Sequence, residues 1–185
     1  MTEHVQLVHL LVSRSVRRGQ FILASGRQST LYIDARLTTM SPEGLVVIGS
    51  LGLRAIRERW EVDSIGGLTL GADPIAYAIS YASAFTKWPV RAFTVRKEAK
   101  MHGTGKLIEG PFLVGDRTVV IEDVITTGGS ALKAVTAIQA AGGTVAGVLA
   151  LVDREEGGRE AIEAAGVAVI SLVTAQELLL ETTPT

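Results

Sequence analysis

Residues 119–130 read Val-Val-Ile-Glu-Asp-Val-Ile-Thr-Thr-Gly-Gly-Ser, and few folds accommodate that order. The β-branched residues Val119, Val120, Ile121 and Val124 read as a buried strand. Two adjacent carboxylates, Glu122 and Asp123, stand at its C-terminal end as exposed acids. A loop of hydroxyls and glycines follows, and Ala131-Leu132-Lys133-Ala134-Val135 opens a helix. In an open parallel sheet, ligands bind at the C-terminal ends of the strands. A Thr/Gly/Ser loop entering a helix offers free N–H groups, hydroxyls and a positive dipole end, which suit a phosphate. Two acids beside it would repel that phosphate unless they address a neighbouring polyol or a metal. The local chemistry fits a sugar phosphate. The alternative is a plain turn capped by Ser130 with two solvated acids.

The rest of the chain alternates in the same sense. Strands are predicted at 64–67, 90–95, 118–121, 144–152 and 167–172, with helices at 74–85, 130–141, 159–165 and 175–180 between and after them. Such alternation means a largely parallel α/β sheet with helices on both faces. Ahead of it, Val5, Val8, Val12 and Val16 predict a helix over 5–18, closed by Gly19. Phe21–Leu23 and Leu31–Ile33 predict short strands around Ser25-Gly26-Arg27. Ser41-Pro42-Glu43 starts a helix running to about Trp60.

Residues 96–111 form a sixteen-residue stretch holding three of the chain's five lysines and one of its three histidines. Three glycines and Pro111 argue against regular structure there. Loops of this length in compact domains are usually functional or disordered. Arg96, Lys97, Lys100 and His102 suit capture of a polyphosphate leaving group, with fixed charge and a proton donor. A solvated charged loop is the alternative.

Composition narrows the class. Formal net charge is −1, which argues against a nucleic-acid surface working by bulk charge. No apolar run reaches the roughly 18 residues of a membrane span, and the N-terminus does not read as a signal peptide. Cysteine is absent, which excludes disulfides and thiolate chemistry. Asn is also absent and Arg outnumbers Lys 13 to 5, a usage shared by thermophile proteins and high-GC coding. A cytoplasmic protein is expected. There is no Gly-x4-Gly-Lys-Ser/Thr loop, and Gly103 and Gly105 lead to Ile108 rather than completing a dinucleotide fingerprint.

The 119–130 stretch closely resembles the phosphoribosyl-pyrophosphate motif of the type I phosphoribosyltransferases. Arg96-Lys97-x-x-Lys100-x-His102-Gly103 resembles the catalytic loop of their orotate branch. The likeness extends to Phe21–Ser29, to Gly71-Ala72-Asp73-Pro74 and to Val152-Asp153-Arg154 followed by Gly157-Gly158. It implies one phosphoribosyltransferase domain over 1–185, with a core at about 41–154 and a small hood from about 1–40 and 155–185. It implies transfer of the phosphoribosyl group to orotate, giving orotidine 5′-monophosphate and pyrophosphate in UMP biosynthesis. Glu122 and Asp123 would then bind the ribose hydroxyls, and Val124, Ile125, Thr126, Thr127, Gly128, Gly129 and Ser130 would wrap the 5-phosphate. Arg96, Lys97, Lys100 and His102 would meet the pyrophosphate. Lys97, Lys100, His102 and Asp123 would carry catalysis. Thr126 and Arg154 would hold orotate, and Mg²⁺ would bridge pyrophosphate and ribose oxygens, mostly without direct protein ligands. The 96–111 loop would be shared across a homodimer, with no nucleic-acid or membrane partner. Ala24 and Leu70 stand where some members have lysine, so pyrophosphate-binding charge is expected to concentrate at 96–102. Tyr32 is a candidate for the base site or for packing. His4 and His9 read as surface or packing residues, and Trp60 and Trp88 as packing residues. A purine phosphoribosyltransferase and a ligand-sensing regulator are the rival readings. The intact Lys/His loop disfavours the regulator.

Overall fold

The computed structural model describes residues 2–22, 28–98 and 106–181. Helix α1 (Glu3–Arg14) starts at Thr2, whose hydroxyl accepts from Val5 N, and buries Leu7, Val8, Leu10 and Leu11. The chain leaves the helix at Ser15, short of the predicted Arg18. Strand β1 (Val16–Ile22) instead pairs antiparallel with β2 (Gln28–Ile33), Val16 opposite Ile33 and Arg18 opposite Leu31. Residues at helical spacing are drawn into a hairpin because a partner strand satisfies their backbone groups.

Helix α2 (Arg36–Thr39) is a single turn that the apolar pattern does not signal. Helix α3 (Pro42–Arg57) begins as predicted, with Ser41 Oγ accepting from Gly44 N and Pro42 in the first turn. Then follow β3 (Ser64–Leu68), α4 (Ala72–Ser83), β4 (Arg91–Val95), β5 (Ile108–Glu109), β6 (Arg117–Ile125), α5 (Gly129–Ala140), β7 (Thr144–Asp153), α6 (Gly158–Ala164), β8 (Val169–Thr174) and α7 (Ala175–Glu181).

The main sheet runs β5-β4-β3-β6-β7-β8, parallel except for β5. The 96–111 stretch is therefore not wholly irregular. Ile108 and Glu109 add an antiparallel edge opposite Val95 and Thr94. The strand order turns back between β3 and β6: α4 carries the chain from β3 out to β4, whereas β7 and β8 add on the other side of β6. The crevice at the C-terminal ends of β3 and β6 is thus the switch point where open α/β sheets bind ligands.

The apolar run of β6 reflects burial on both faces. Val119 and Ile121 join the cluster under α1, α3 and α4, while Val120 and Ile125 join the one under α5 and α6. The strand extends past the predicted Ile121 because β7 pairs with it as far as Ile125, opposite Asp153. The first and last helices also meet, with His4 Nε2 2.8 Å from Glu177 Oε1. Trp60 packs over Gly147. Trp88 is 72% exposed rather than a packing residue, with the Arg57 guanidinium 6.0 Å from its ring.

Candidate active site

Because β6 continues to Ile125, the two acids lie within the strand, and alternation separates their surroundings. Glu122 is buried at 8% exposure, which corrects its reading as an exposed acid. Its Oε2 has no hydrogen-bond partner among the described residues. Burial, and then the charge of Asp123, push the Glu122 carboxyl well above the ordinary glutamate range. Asp123 is half-buried and reaches across to β3's exit turn. A side chain at Gly71 would collide with its carboxylate, so only glycine permits this approach.

After β6 the chain turns through Thr126, Thr127 and Gly128. Gly128 has φ +79° and directly precedes α5, with no side chain capping the helix start. The first-turn amides are therefore open to a ligand. A Cβ on Gly128 would lie 2.7 Å from the Gly158 carbonyl oxygen, because the head of α6 packs against this loop. Residues 124–130 and Glu122 together line one small concavity.

A second cleft, of about 300 Å³, opens from the same acids. Its walls are the end of β2 and the start of α2 (Tyr32, Asp34, Arg36), the Thr69-Leu70-Gly71 turn, Lys97, Glu122, Asp123 and Ser130. Asp73 braces the turn: it accepts from Thr69 Oγ1 (2.6 Å) and Thr94 Oγ1 (2.9 Å). The Thr69–Leu70 peptide is cis. Tyr32 lies 5.5 Å from the Phe21 ring, centroid to centroid, and lines the cleft. Asp34 and Arg36 form a fork, Nε to Oδ1 at 2.8 Å and Nη2 to Oδ2 at 3.1 Å. The hydrogen bond from Arg36 holds the Asp34 carboxyl below its ordinary value. Sequence reasoning missed Asp34, Arg36 and Thr69. An acid at the end of a strand, followed by a cation, was the available signal for the first two.

Arg96 is half-buried; its amide donates to the Leu107 carbonyl (2.8 Å), and Nη1 lies 3.7 Å from Glu109 Oε1. Lys97 is exposed and lines the cleft. Lys100 and His102 lie outside the described residues, as does Ser25-Gly26-Arg27. Arg154 is buried at 7% exposure at the end of β7. Its amide donates to the Ile125 carbonyl, and Nη2 donates to Leu31 O (3.1 Å) and sits 2.7 Å from Glu156 Oε1. It joins the β1–β2 hairpin to the β6–β7 ends but does not line the 300 Å³ cleft. Asp153 shapes this corner, accepting from Glu155 N (2.8 Å) and Arg159 Nε (2.7 Å). Among the described residues no group of three His, Cys, Asp or Glu side chains could hold a metal.

No family model matches the chain. The orotate phosphoribosyltransferase of Aquifex aeolicus is 47% identical over 182 residues, covering 97% of this chain and 99% of that one. That of Mycobacterium tuberculosis strain H37Ra is 44% identical over 179 residues, 97% of this chain and 98% of that one. Among solved structures, M. tuberculosis H37Rv orotate phosphoribosyltransferase in complex with 5-phospho-α-D-ribosyl 1-diphosphate superposes with a TM-score of 0.82 at 41% identity, over 96% of this chain and 99% of that one. The Aeropyrum pernix enzyme superposes with a TM-score of 0.81 at 33% identity, over 95% and 97%. An adenine phosphoribosyltransferase from Leishmania donovani shares the fold at 20% identity and TM-score 0.65. With an acid pair at the switch point of the sheet, a glycine-led helix start beside it and relatives matched along nearly their whole length, the chain belongs to the orotate phosphoribosyltransferase family.

Proposed function

We infer that this chain transfers the phosphoribosyl group of phosphoribosyl pyrophosphate to orotate, releasing pyrophosphate and forming orotidine 5′-monophosphate on the route to UMP. The observation that carries this reading is the placement of Glu122 in the lining of two cavities, one led by open helix amides and one lined also by Asp123, Arg36 and Lys97. A ribose on the acid pair puts its 5-phosphate on residues 124–130 and its C1 substituent toward the second cleft.

Cleavage at C1 builds positive charge on the ribose ring and negative charge on the pyrophosphate. Contacts that strengthen at that moment accelerate the step. Asp123 faces the sugar and Lys97 the departing group; Lys100 and His102 join Lys97 from the same loop. Arg96 anchors the loop's first strand end through Leu107. Closure of the loop excludes water that would hydrolyse the sugar cation. Thr126 and Arg154 take orotate, Arg154 meeting its carboxylate. Magnesium, bound with the substrate, supplies neutralisation of pyrophosphate charge. The terminal segments, with α1 against α7, act as the hood.

A second copy of the chain completes the enzyme. Support comes from the exposed apolar side chains of Tyr77, Tyr81, Phe85 and Trp88 on and after α4. Mixed dimers of Lys100→Ala and Asp123→Asn chains should regain activity through one composite site; none regained would exclude a loop shared across subunits. We place the enzyme in the cytoplasm. Among the described residues no helix is long and apolar enough to cross a membrane. Incubation with phosphoribosyl pyrophosphate, Mg²⁺ and a panel of bases tests the assignment. Orotate should disappear by absorbance, and preferential use of hypoxanthine or adenine would overturn it.

A further inference from the structure

We propose that Arg36, aimed by Asp34, is a pyrophosphate-binding residue on the β2 side of the cleft. The proposal rests on the phosphoribosyl-transfer reading above and adds a residue to it. Arg36 lines the same cleft as Asp123 and the Thr69-Leu70-Gly71 turn. That cleft continues from the acid pair on the side away from residues 126–129, which line the other cavity. A substrate whose sugar lies on the acids and whose 5-phosphate lies on the loop must send its pyrophosphate this way.

The wall it meets is poor in positive charge. Leu70 is 51% exposed and apolar, and the 69–71 turn carries no charged side chain. Among the described lining residues the cations are Arg36 and Lys97. Lys97 enters from β4, on the loop side. Arg36 enters from the start of α2, just past β2, so the two can hold one pyrophosphate from different directions.

Its guanidinium is already oriented. The fork to Asp34 occupies Nε and one Nη2 hydrogen, and the Arg36 amide also donates to Asp34 Oδ1 at 3.3 Å. No described residue accepts from Nη1. A planar guanidinium pinned along one edge presents its other edge to a phosphate with little rotamer entropy left to lose. The side chain is half exposed, so it contributes little to the core and is open to ligand. Positive charge for the leaving group is therefore not confined to residues 96–102.

Calorimetry with Mg²⁺–phosphoribosyl pyrophosphate and with orotidine 5′-monophosphate, which has no pyrophosphate, separates the possibilities. Arg36→Gln should weaken the first by roughly 10- to 100-fold, the range for a charge-assisted hydrogen bond. Binding of the nucleotide should stay within about threefold of wild type, since that contact is missing from it. Asp34→Asn should weaken pyrophosphate-bearing substrate less, and should add nothing on top of Arg36→Gln, because it acts only by aiming that side chain. Equal loss for both ligands, or no loss for either, would overturn the proposal. So would an additive double variant. Melting curves within about 2 °C of wild type show that the variants fold. Wild-type orotate turnover, measured alongside, tests the parent reading by itself. If wild type binds the pyrophosphate substrate but ignores orotate, the base assignment fails and Arg36 stands. If wild type turns over orotate and Arg36→Gln binds normally, only Arg36 falls.

Discussion

Replacing Glu122 by Gln should make the folded protein more stable and the enzyme worse. The carboxyl is buried, beside Asp123, with an oxygen that no described residue satisfies. An unsatisfied buried polar group costs about 1–3 kcal/mol, and more when charged. The folded state holds the Glu122 proton more tightly than the unfolded chain, whose value is near 4.5. Stability is therefore lost as pH rises from that value through the raised folded one, and the loss is complete above it. Gln is nearly isosteric, carries no charge at any pH, and can donate to Asp123. At neutral pH it should recover about 1 kcal/mol or more, a rise in Tm of about 2–4 °C per kcal/mol for a chain of this size. The gain should shrink as pH falls toward 4.5, where Glu122 is itself protonated. Against the substrate the sign reverses. A lost charge-assisted bond to a ribose hydroxyl costs about 1.5–3 kcal/mol, so kcat/KM for phosphoribosyl pyrophosphate should fall roughly 10- to 150-fold. Scanning calorimetry across pH, with initial rates on both proteins, measures each part. A variant that melts lower than wild type at pH 7 and keeps full activity would refute the argument.

Three further outcomes are expected. Gly128→Ala combines a positive φ with a Cβ 2.7 Å from the Gly158 oxygen, so it should lower stability by about 1–3 kcal/mol and weaken 5-phosphate binding, read by melting and by nucleotide affinity. Arg154→Ala should raise the orotate KM and narrow the orotate-to-uracil ratio of kcat/KM while leaving phosphoribosyl pyrophosphate affinity nearly unchanged; it should also destabilise, since Leu31 O and Glu156 lose a buried donor. Asp116 is buried, which raises its pKa, but hydrogen bonds from Arg91, the Leu113 amide and Ser64 outweigh burial and leave it below 3.8. Its contribution is therefore present above that value and lost as pH falls through the depressed one, so Asp116→Ala should melt lower at pH 7 and show a shallower acid transition.

Much of the architecture was legible in the chain because it is written locally. Strand, acid pair, glycine loop and helix follow one another within a dozen residues, and burial on both faces makes β6 apolar from Val119 to Ile121. The start of α3 was readable from Ser41 and Pro42, since capping is decided within one turn. Where pattern and partner conflicted, the partner prevailed. Val16 continues a helical spacing yet sits opposite Ile33 in a hairpin. Ile108 and Glu109, within a glycine-rich stretch, pair with β4. Strand pairing depends on residues distant in sequence, which periodicity does not register.

The same division runs through the candidate site. The sequence alone determined that two acids would stand near the C-terminal end of a central strand ahead of an anion-suited helix start, because those groups are neighbours along the chain. Only the tertiary structure decided that Glu122 would be buried and Asp123 would reach over Gly71, because β6 lies between β3 and β7 and carries the pairing past the acids. It also decided that Arg36, distant from them in sequence, would enter the same cleft as Asp123 and Lys97. Electrostatics and desolvation act through space, so the charge state of a carboxylate and the company of a guanidinium are set by packing, not by order along the chain.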